Sequence, residues 1–343
     1  MLLLAAAAAR LTIGTSAIGW PEGADLLALF AYWSDAIRHA VGLAAKPEPL
    51  PAATQILATR CHRLALAAVV GTALAVSGVA LQALLRNPLA EPYILGLSTG
   101  AAAGMMAQQL ILRQLGVALG MSQIGALAGA SATMAIVFLA GRRQGVVDPL
   151  GLLLTGVVLS TINGALIMLC NYLVGPGGLR DDLTQWMMGY LNQGAGWLTV
   201  GGIGAVTAIG GGWLLSAARA MDIASLSDSE AMSLGVRLQY LRAVEFAVAS
   251  VLAAGAVLLA GPIAFVGLIC PHLGRLMVGP RHGPLLISSA MLGAVLIIVA
   301  DTTSAWLHLQ LGVGRMPIGI FTAMLGGPAF LWMLRPHLGR GMG

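Results

Sequence analysis

Few side chains in this sequence have the character to do chemistry, and those few are scattered. Glu245 and Asp301 are carboxylates that fall in or beside long apolar runs. A carboxylate in a bilayer is costly, so one found there invites a proton-relay reading. A relay also needs a partner. Neither has a basic residue at helical spacing within its own run, although Arg242 stands three before Glu245. Both read first as structural hydrogen-bonding groups near helix ends, with proton coupling as the alternative. Cys61, Cys170 and Cys270 lie far apart with no paired spacing, which suggests neither a disulfide framework nor a zinc site. No Gly-Lys-Ser or Gly-Lys-Thr occurs, and the single lysine, Lys46, sits among prolines. Without a lysine-bearing phosphate loop the chain carries no Walker-type ATP site. No cluster of His, Asp or Cys marks a membrane enzyme. No catalytic residue and no metal ligand is assigned.

These isolated groups must be positioned by apolar helices. The chain is 58% hydrophobic and 9% charged, where a soluble protein is about a quarter charged. Apolar runs of membrane length recur along all 343 residues, so the sequence reads as one all-α, polytopic transmembrane domain. The alternating short strands of a barrel are absent. Ten spans are expected, at about 1–20, 64–85, 93–112, 121–140, 150–174, 196–216, 241–260, 262–277, 284–305 and 316–334. The eighth is short and bounded by glycines, which predicts a tilted or partly re-entrant piece. Met1–Trp20 reads as a first span, with a cleaved signal as the alternative, because it lacks a basic lead and Arg10 interrupts it.

Basic residues set the orientation. With both termini cytoplasmic, ten lie on the inner side and seven on the outer side. The formal charge of +5 is therefore read as membrane orientation. No arginine cluster interleaved with aromatics suggests nucleic acid. The outer segment Pro21–Arg63 contains a candidate surface helix, Asp25–Val41, and a stiff extended piece, Lys46–Pro51. A second outer interval, Gly175–Gly196, contains a short helix over Asp182–Asn192 whose Trp186, Met187 and Tyr190 suit an interfacial anchor or, equally, a substrate contact. The largest cytoplasmic interval is Ala217–Arg242. In it Ser227 and Glu230 fit a capping box, Gly235 ends a short helix, and Ala231, Leu234 and Val236 give it a small apolar face.

One stretch is more specific. Ser77–Gly104 reads SGVALQALLRNPLAEPYILGLSTGAAAG. Pro88 should stop the helix before it at Asn87, and Pro92 suits the first turn of the next. Gly96, Gly100 and Gly104 fall four apart on one face, and with Gly125 and Gly129 they suit close helix packing, within one chain or between two. The loop resembles the signature of the FecCD family, membrane permeases of ABC importers for iron-siderophores, haem and cobalamin. Further pieces agree in order. Arg60-Cys61-His62-Arg63 keeps both arginines of the family's Arg-Leu-Pro-Arg element and departs in the middle pair. Leu226–Val236 keeps Ala231, Ser233, Leu234, Gly235 and Val236 of its Ser-Leu-Gly-Val element, with Ser227-Asp228 where the family usually has Gly and an acidic residue. Gly261–Arg275, Asp301, Pro317–Gly319 and Gly326–Phe330 match as well.

The resemblance implies a type II ABC importer permease fold with about ten transmembrane helices. It implies a dimer of permeases, a homodimer or a heterodimer with a paralogue, two ABC ATPase subunits, and a periplasmic or lipid-anchored binding protein. ATP and magnesium would sit on the ATPase, with no cofactor on this chain. Leu226, Ser227, Asp228, Ala231, Ser233, Leu234, Gly235 and Val236 would form the element that docks on the ATPase. Asn87 and Leu89 would lie at the inner gate, with capping of the third helix as the plainer role for Asn87. Arg60 and Arg63 would meet carboxylates of the binding protein, with interfacial snorkelling as the alternative, and Arg315 is a looser candidate beside them. His272 and His308 read as packing or loop residues rather than haem ligands. The cargo would be an iron chelate or a corrinoid, crossing the bacterial inner membrane. The rival from another class is an ion- or proton-coupled secondary transporter without a motor.

Overall fold

A computed structural model of the chain describes residues 1–13, 25, 27–29, 31–32, 34, 50–116, 124–143, 146–174, 186–192, 194–312 and 314–338. Most of the helix expected over Asp25–Val41, residues 46–49 of the piece Lys46–Pro51 and the start of the helix expected over Asp182–Asn192 lie outside these residues; within the latter only 186–187 are helical and 188–192 are turn and coil.

Each expected span has a helix. They are α1 (Leu2–Thr12), α2 (Ala52–Leu84), α3 (Leu97–Gln114), α4 (Ile124–Ala140), α5 (Pro149–Val174), α6 (Trp197–Ala224), α8 (Leu238–Ala260), α9 (Val266–Val278), α10 (His282–Leu311) and α11 (Ile318–Leu338). Between α6 and α8 lies the short α7 (Asp228–Ser233), and between α4 and α5 a small hairpin pairs β1 (Arg142–Arg143) antiparallel with β2 (Val146–Val147). Five of the helices, α2, α5, α6, α8 and α10, are long and apolar enough to cross a membrane by themselves, and α1, α4, α9 and the described part of α11 are shorter apolar helices.

Helix α2 is the centre. In its most apolar stretch 72% of residues are buried, against 22% in α5 and 17% in α6. Apolar composition alone does not separate these three, because lipid and protein interior both accept apolar side chains. Glycine separates them better. A Cβ on Gly71 would lie 2.0 Å from the carbonyl oxygen of Gly293 on α10, and one on Gly78 would lie 2.0 Å from that of Gly267 on α9. The backbones touch there, and only hydrogen fits. Helices α3 and α4 make a second such seam. A Cβ on Gly104 would lie 2.2 Å from the Gly125 carbonyl oxygen, and one on Gly129 would lie 2.1 Å from that of Gly100. The α3–α4 glycine faces thus pack within one chain.

Three boundaries depart from the sequence reading. Helix α2 begins at Ala52 rather than Leu64, so it extends well beyond the predicted span. Helix α3 begins at Leu97, with Gly96 as its N-cap at φ +79. Pro92 is therefore in the connection and not in the helix's first turn. Gly96 does not share the face of Gly100 and Gly104. It sits in the left-handed region that glycine favours, with the Gly156 carbonyl oxygen of α5 3.1 Å from where its Cβ would be. Helix α9 starts at Val266, and Gly261–Phe265 before it is irregular.

Candidate functional site

The interval between α6 and α8 is built by local capping. At the start of α7 the Ser227 hydroxyl accepts from the Glu230 amide, while the Glu230 carboxylate accepts from the Ser227 amide at 3.0 Å and from its hydroxyl at 2.6 Å. Both orphan donors are satisfied reciprocally, as the sequence predicted. These two bonds, the hydroxyl's first, hold the Glu230 carboxyl below the usual glutamate range. The helix ends on Gly235 at φ +83, with Gly235 N–H bonded to Met232 O and Val236 N–H to Ala231 O, a Schellman closure. That closure fixes the faces. Ala231 is fully buried, whereas Leu226, Met232 and Leu234 are 47%, 58% and 60% exposed. Leu234 thus does not share an inward apolar face with Ala231; it points out.

Two carboxylates tie this interval to the spans. Asp222 accepts from the His282 backbone at 2.9 Å and lies 2.6 Å from its ring Nδ1, at the start of α10. Asp228 Oδ1 is 2.7 Å from Arg86 Nη2 and 2.9 Å from Arg242 Nη2. Partial burial raises the Asp228 pKa, but Arg242 and then Arg86 outweigh it and leave the carboxyl below its ordinary range.

The connection after α2 lies against the same end of the bundle. Arg86 takes φ +46, and the Asn87 side-chain oxygen accepts from the Leu89 amide at 2.9 Å. Asn87 therefore closes a turn within the loop and does not cap α3, whose start makes no side-chain cap bond. Asn87 and Leu89 are both half-buried. Two residues unassigned from sequence hold this loop. Buried Glu91 accepts from the Phe265 amide at 2.9 Å, and Gln82 joins the Gly267 carbonyl at 3.1 Å to Arg275 at 2.6 Å. Their partners are about 170 to 190 positions away, which no local pattern reveals.

The opposite end of the bundle holds the second charge cluster. Asp301 on α10 pairs with Arg10 of α1 at 2.5 Å and with Arg63 of α2, which also donates through Nε at 3.3 Å. The three side chains are 1%, 1% and 2% exposed. The absence of a partner within its own helix is made good by two other helices, so Asp301 is an ion-paired residue rather than a group bonded to a helix end. Arg63 does not stand on the rim. Its guanidinium is interior, with its carbon 5.9 Å from the centre of the Tyr190 ring. Arg60 is half-buried and donates to the Leu11 carbonyl at 2.7 Å, near the end of α1. Arg315 adds a third guanidinium beside this cluster, and its nitrogens are buried without a hydrogen-bond partner among the described residues. On α8, Glu245 is 2% exposed and its Oε1 has no hydrogen-bond partner among the described residues, because Arg242 turns to Asp228.

Comparison with known proteins agrees with this architecture. The FecCD transport family matches residues 2–336. The cobalamin import system permease BtuC of Halobacterium salinarum is 39% identical over 278 residues, covering 80% of this chain and 72% of that one. The hemin transport system permease HmuU of Yersinia pestis is 37% identical over 280 residues, covering 80% and 81%. A solved metal-chelate-type ABC transporter, captured in an inward-facing conformation, superposes with a TM-score of 0.76 at 28% identity and covers 98% and 96% of the two chains.

Proposed function

The chain belongs to the FecCD transport family and is a permease subunit of an ABC importer; from that premise we propose which parts meet its partners and what it carries. The observation that carries the proposal is α7. A six-residue helix, capped at both ends, presents Leu226, Met232 and Leu234 to solvent beside a polar rim. Exposed apolar side chains on so rigid a mount suit a partner's groove. The partner is a separate ATPase that binds ATP and magnesium, one copy per permease. Closure of two such motors would move two docked α7 segments in a dimer of permeases. The α7 end then faces the cytoplasm, with both termini on that side of the inner membrane, and Asn87 and Leu89 lie at the inner gate.

At the outer end Arg60 is the remaining candidate for steering a binding protein, since Arg63 is engaged by Asp301. The cargo we propose is an iron chelate, siderophore before haem, or a corrinoid. The named relatives include cobalamin, hemin and achromobactin permeases, which supports the class without selecting within it. The proposal is tested by purifying the chain from its native membrane with any ATPase that accompanies it and measuring whether Leu234→Glu separates them. Separation supports the docking role. An unchanged complex removes it.

A motor-free, proton-coupled transporter is the reading that Glu245 would favour, through its buried and partly unsatisfied carboxylate. It predicts substrate uptake that follows a pH gradient without ATP and is lost in Glu245→Gln.

A further inference from the structure

The sequence assigns no contact between Arg86 and Arg242, yet they converge on one oxygen. Asp228 Oδ1 holds Arg86 Nη2 at 2.7 Å and Arg242 Nη2 at 2.9 Å. Arg242 belongs to α8, and its side chain is only 7% exposed. Arg86 belongs to the loop that follows α2. It also donates twice to the Ala224 carbonyl, from Nε at 3.1 Å and from Nη2 at 2.7 Å. Ala224 is the last residue of α6 and Asp228 the first of α7. One guanidinium therefore grips both sides of the turn Ser225–Ser227. It does so from a left-handed backbone, φ +46, which a residue with a Cβ rarely adopts.

Stability does not explain this arrangement. The Arg86 and Asp228 side chains are 35% and 45% exposed, and an ion pair so open to water on both sides contributes little to folding. Geometry does. The carboxylate and the carbonyl fix Arg86 relative to α7 from two directions, and Asn87 is the next residue along the chain. A cleft of about 750 Å³ lies beside them, bordered by Asn87, Val147, Asp148, Pro149 and Ser227. The joined pieces have space to shift together on that side.

We infer that Arg86, Asp228 and Arg242 are positioning residues: they form a strut that makes α7 and the Asn87–Leu89 turn move as one body, with the start of α8 following. The inference rests on the coupling role proposed for α7. Force applied at Leu226, Met232 and Leu234 passes through Asp228 and Ala224 to Arg86, and so into the turn at the inner gate. Without the strut, α7 moves and the turn stays behind.

The test needs no knowledge of the cargo. In the assembled permease–ATPase complex, with Cys61, Cys170 and Cys270 replaced by serine, spin labels are placed at Ser229→Cys and Leu89→Cys. Their separation is measured by pulsed electron resonance without nucleotide and after trapping with ATP and vanadate. With the strut intact the distribution stays in place on trapping. Asp228→Asn and Arg86→Gln each let it shift by more than its original width, the two together shift it no further than either alone, and Asp228→Glu restores the parent behaviour. A parent distance that changes on trapping overturns the strut, as do variants indistinguishable from the parent in a complex that responds to ATP at a second label pair across the permease dimer. A preparation in which no ATPase associates refutes the coupling role itself, and the strut with it.

Discussion

Replacing Asp301 with Asn should be among the most damaging single changes in this chain. The substitution keeps size and shape and removes one charge. Asp301 is the shared counter-ion of Arg10 and Arg63, and none of the three side chains is more than 2% exposed. Removing one member of a buried ion pair costs about 3–5 kcal/mol, because the charge left behind is neither solvated nor compensated. Here two guanidiniums are left, with Arg315 close by to add repulsion. For a domain of a few hundred residues each kcal/mol moves the melting temperature by about 2–4 °C. Asp301→Asn should therefore lower it by about 10 °C. The assay is thermal unfolding of the purified chain in lipid nanodiscs, read as loss of the monodisperse peak on size exclusion. A companion separates charge from packing. The triple variant Arg10→Met, Arg63→Met, Asp301→Leu removes the whole set, and fully replaced buried ion clusters are often neutral or stabilising. It should recover most of the loss. A shift of under about 2 °C in Asp301→Asn, less than 1 kcal/mol at this chain length, would refute the reasoning, since it would mean that water reaches the pair.

Other consequences are simpler to read. Leu234→Glu, placed on an exposed apolar side chain of α7, should weaken ATPase docking at least about tenfold if that residue anchors the interface, measured by titrating labelled ATPase onto nanodiscs. Gly71→Ala drives a Cβ to 2.0 Å from the Gly293 carbonyl oxygen and should cost about 3 kcal/mol, the upper end for overpacking; Gly212→Ala, which meets nothing within 4 Å, is the matched control and should be harmless in the same melt. Ser227→Ala should raise the Glu230 carboxyl toward the ordinary glutamate range, followed by carboxyl carbon resonances in labelled protein. Because the folded value is depressed, the cap contributes above the unfolded pKa and is lost as pH falls through the folded one. The α7 cap should therefore persist through neutral pH and fail only in acid; a cap that weakens between pH 6 and 8 would contradict it.

What could be read in the sequence was what depends on neighbours in the chain. The ten apolar runs each became a helix because a span satisfies its own backbone bonds wherever it lies. Ser227, Glu230 and Gly235 were legible as cap and stop because capping acts within one turn. The misreadings came from distance. Pro92 suited a helix start by local rule, yet α3 begins only after Gly96, while Glu91 beside Pro92 accepts from the distant Phe265 amide. Asp301 lacked a partner only within its own helix; Arg10 lies 291 positions away. Arg63 looked like a rim residue because its span was expected to begin beside it, whereas α2 starts at Ala52 and carries it into the interior. Ala231 and Leu234 read as one apolar face, yet Ala231 is buried and Leu234 is exposed, because spacing along so short a helix does not say which side meets the bundle.

The central claim is that α7 is where an ATP-driven partner takes hold. The most direct measurement is isolation of this chain from its native membrane, with identification of what accompanies it and an ATPase assay on the product. The account predicts a co-purifying ATPase with its own phosphate loop, whose activity a binding protein raises and Leu234→Glu detaches. A chain that comes out alone, hydrolyses nothing with any partner supplied and moves substrate on an ion gradient would contradict it.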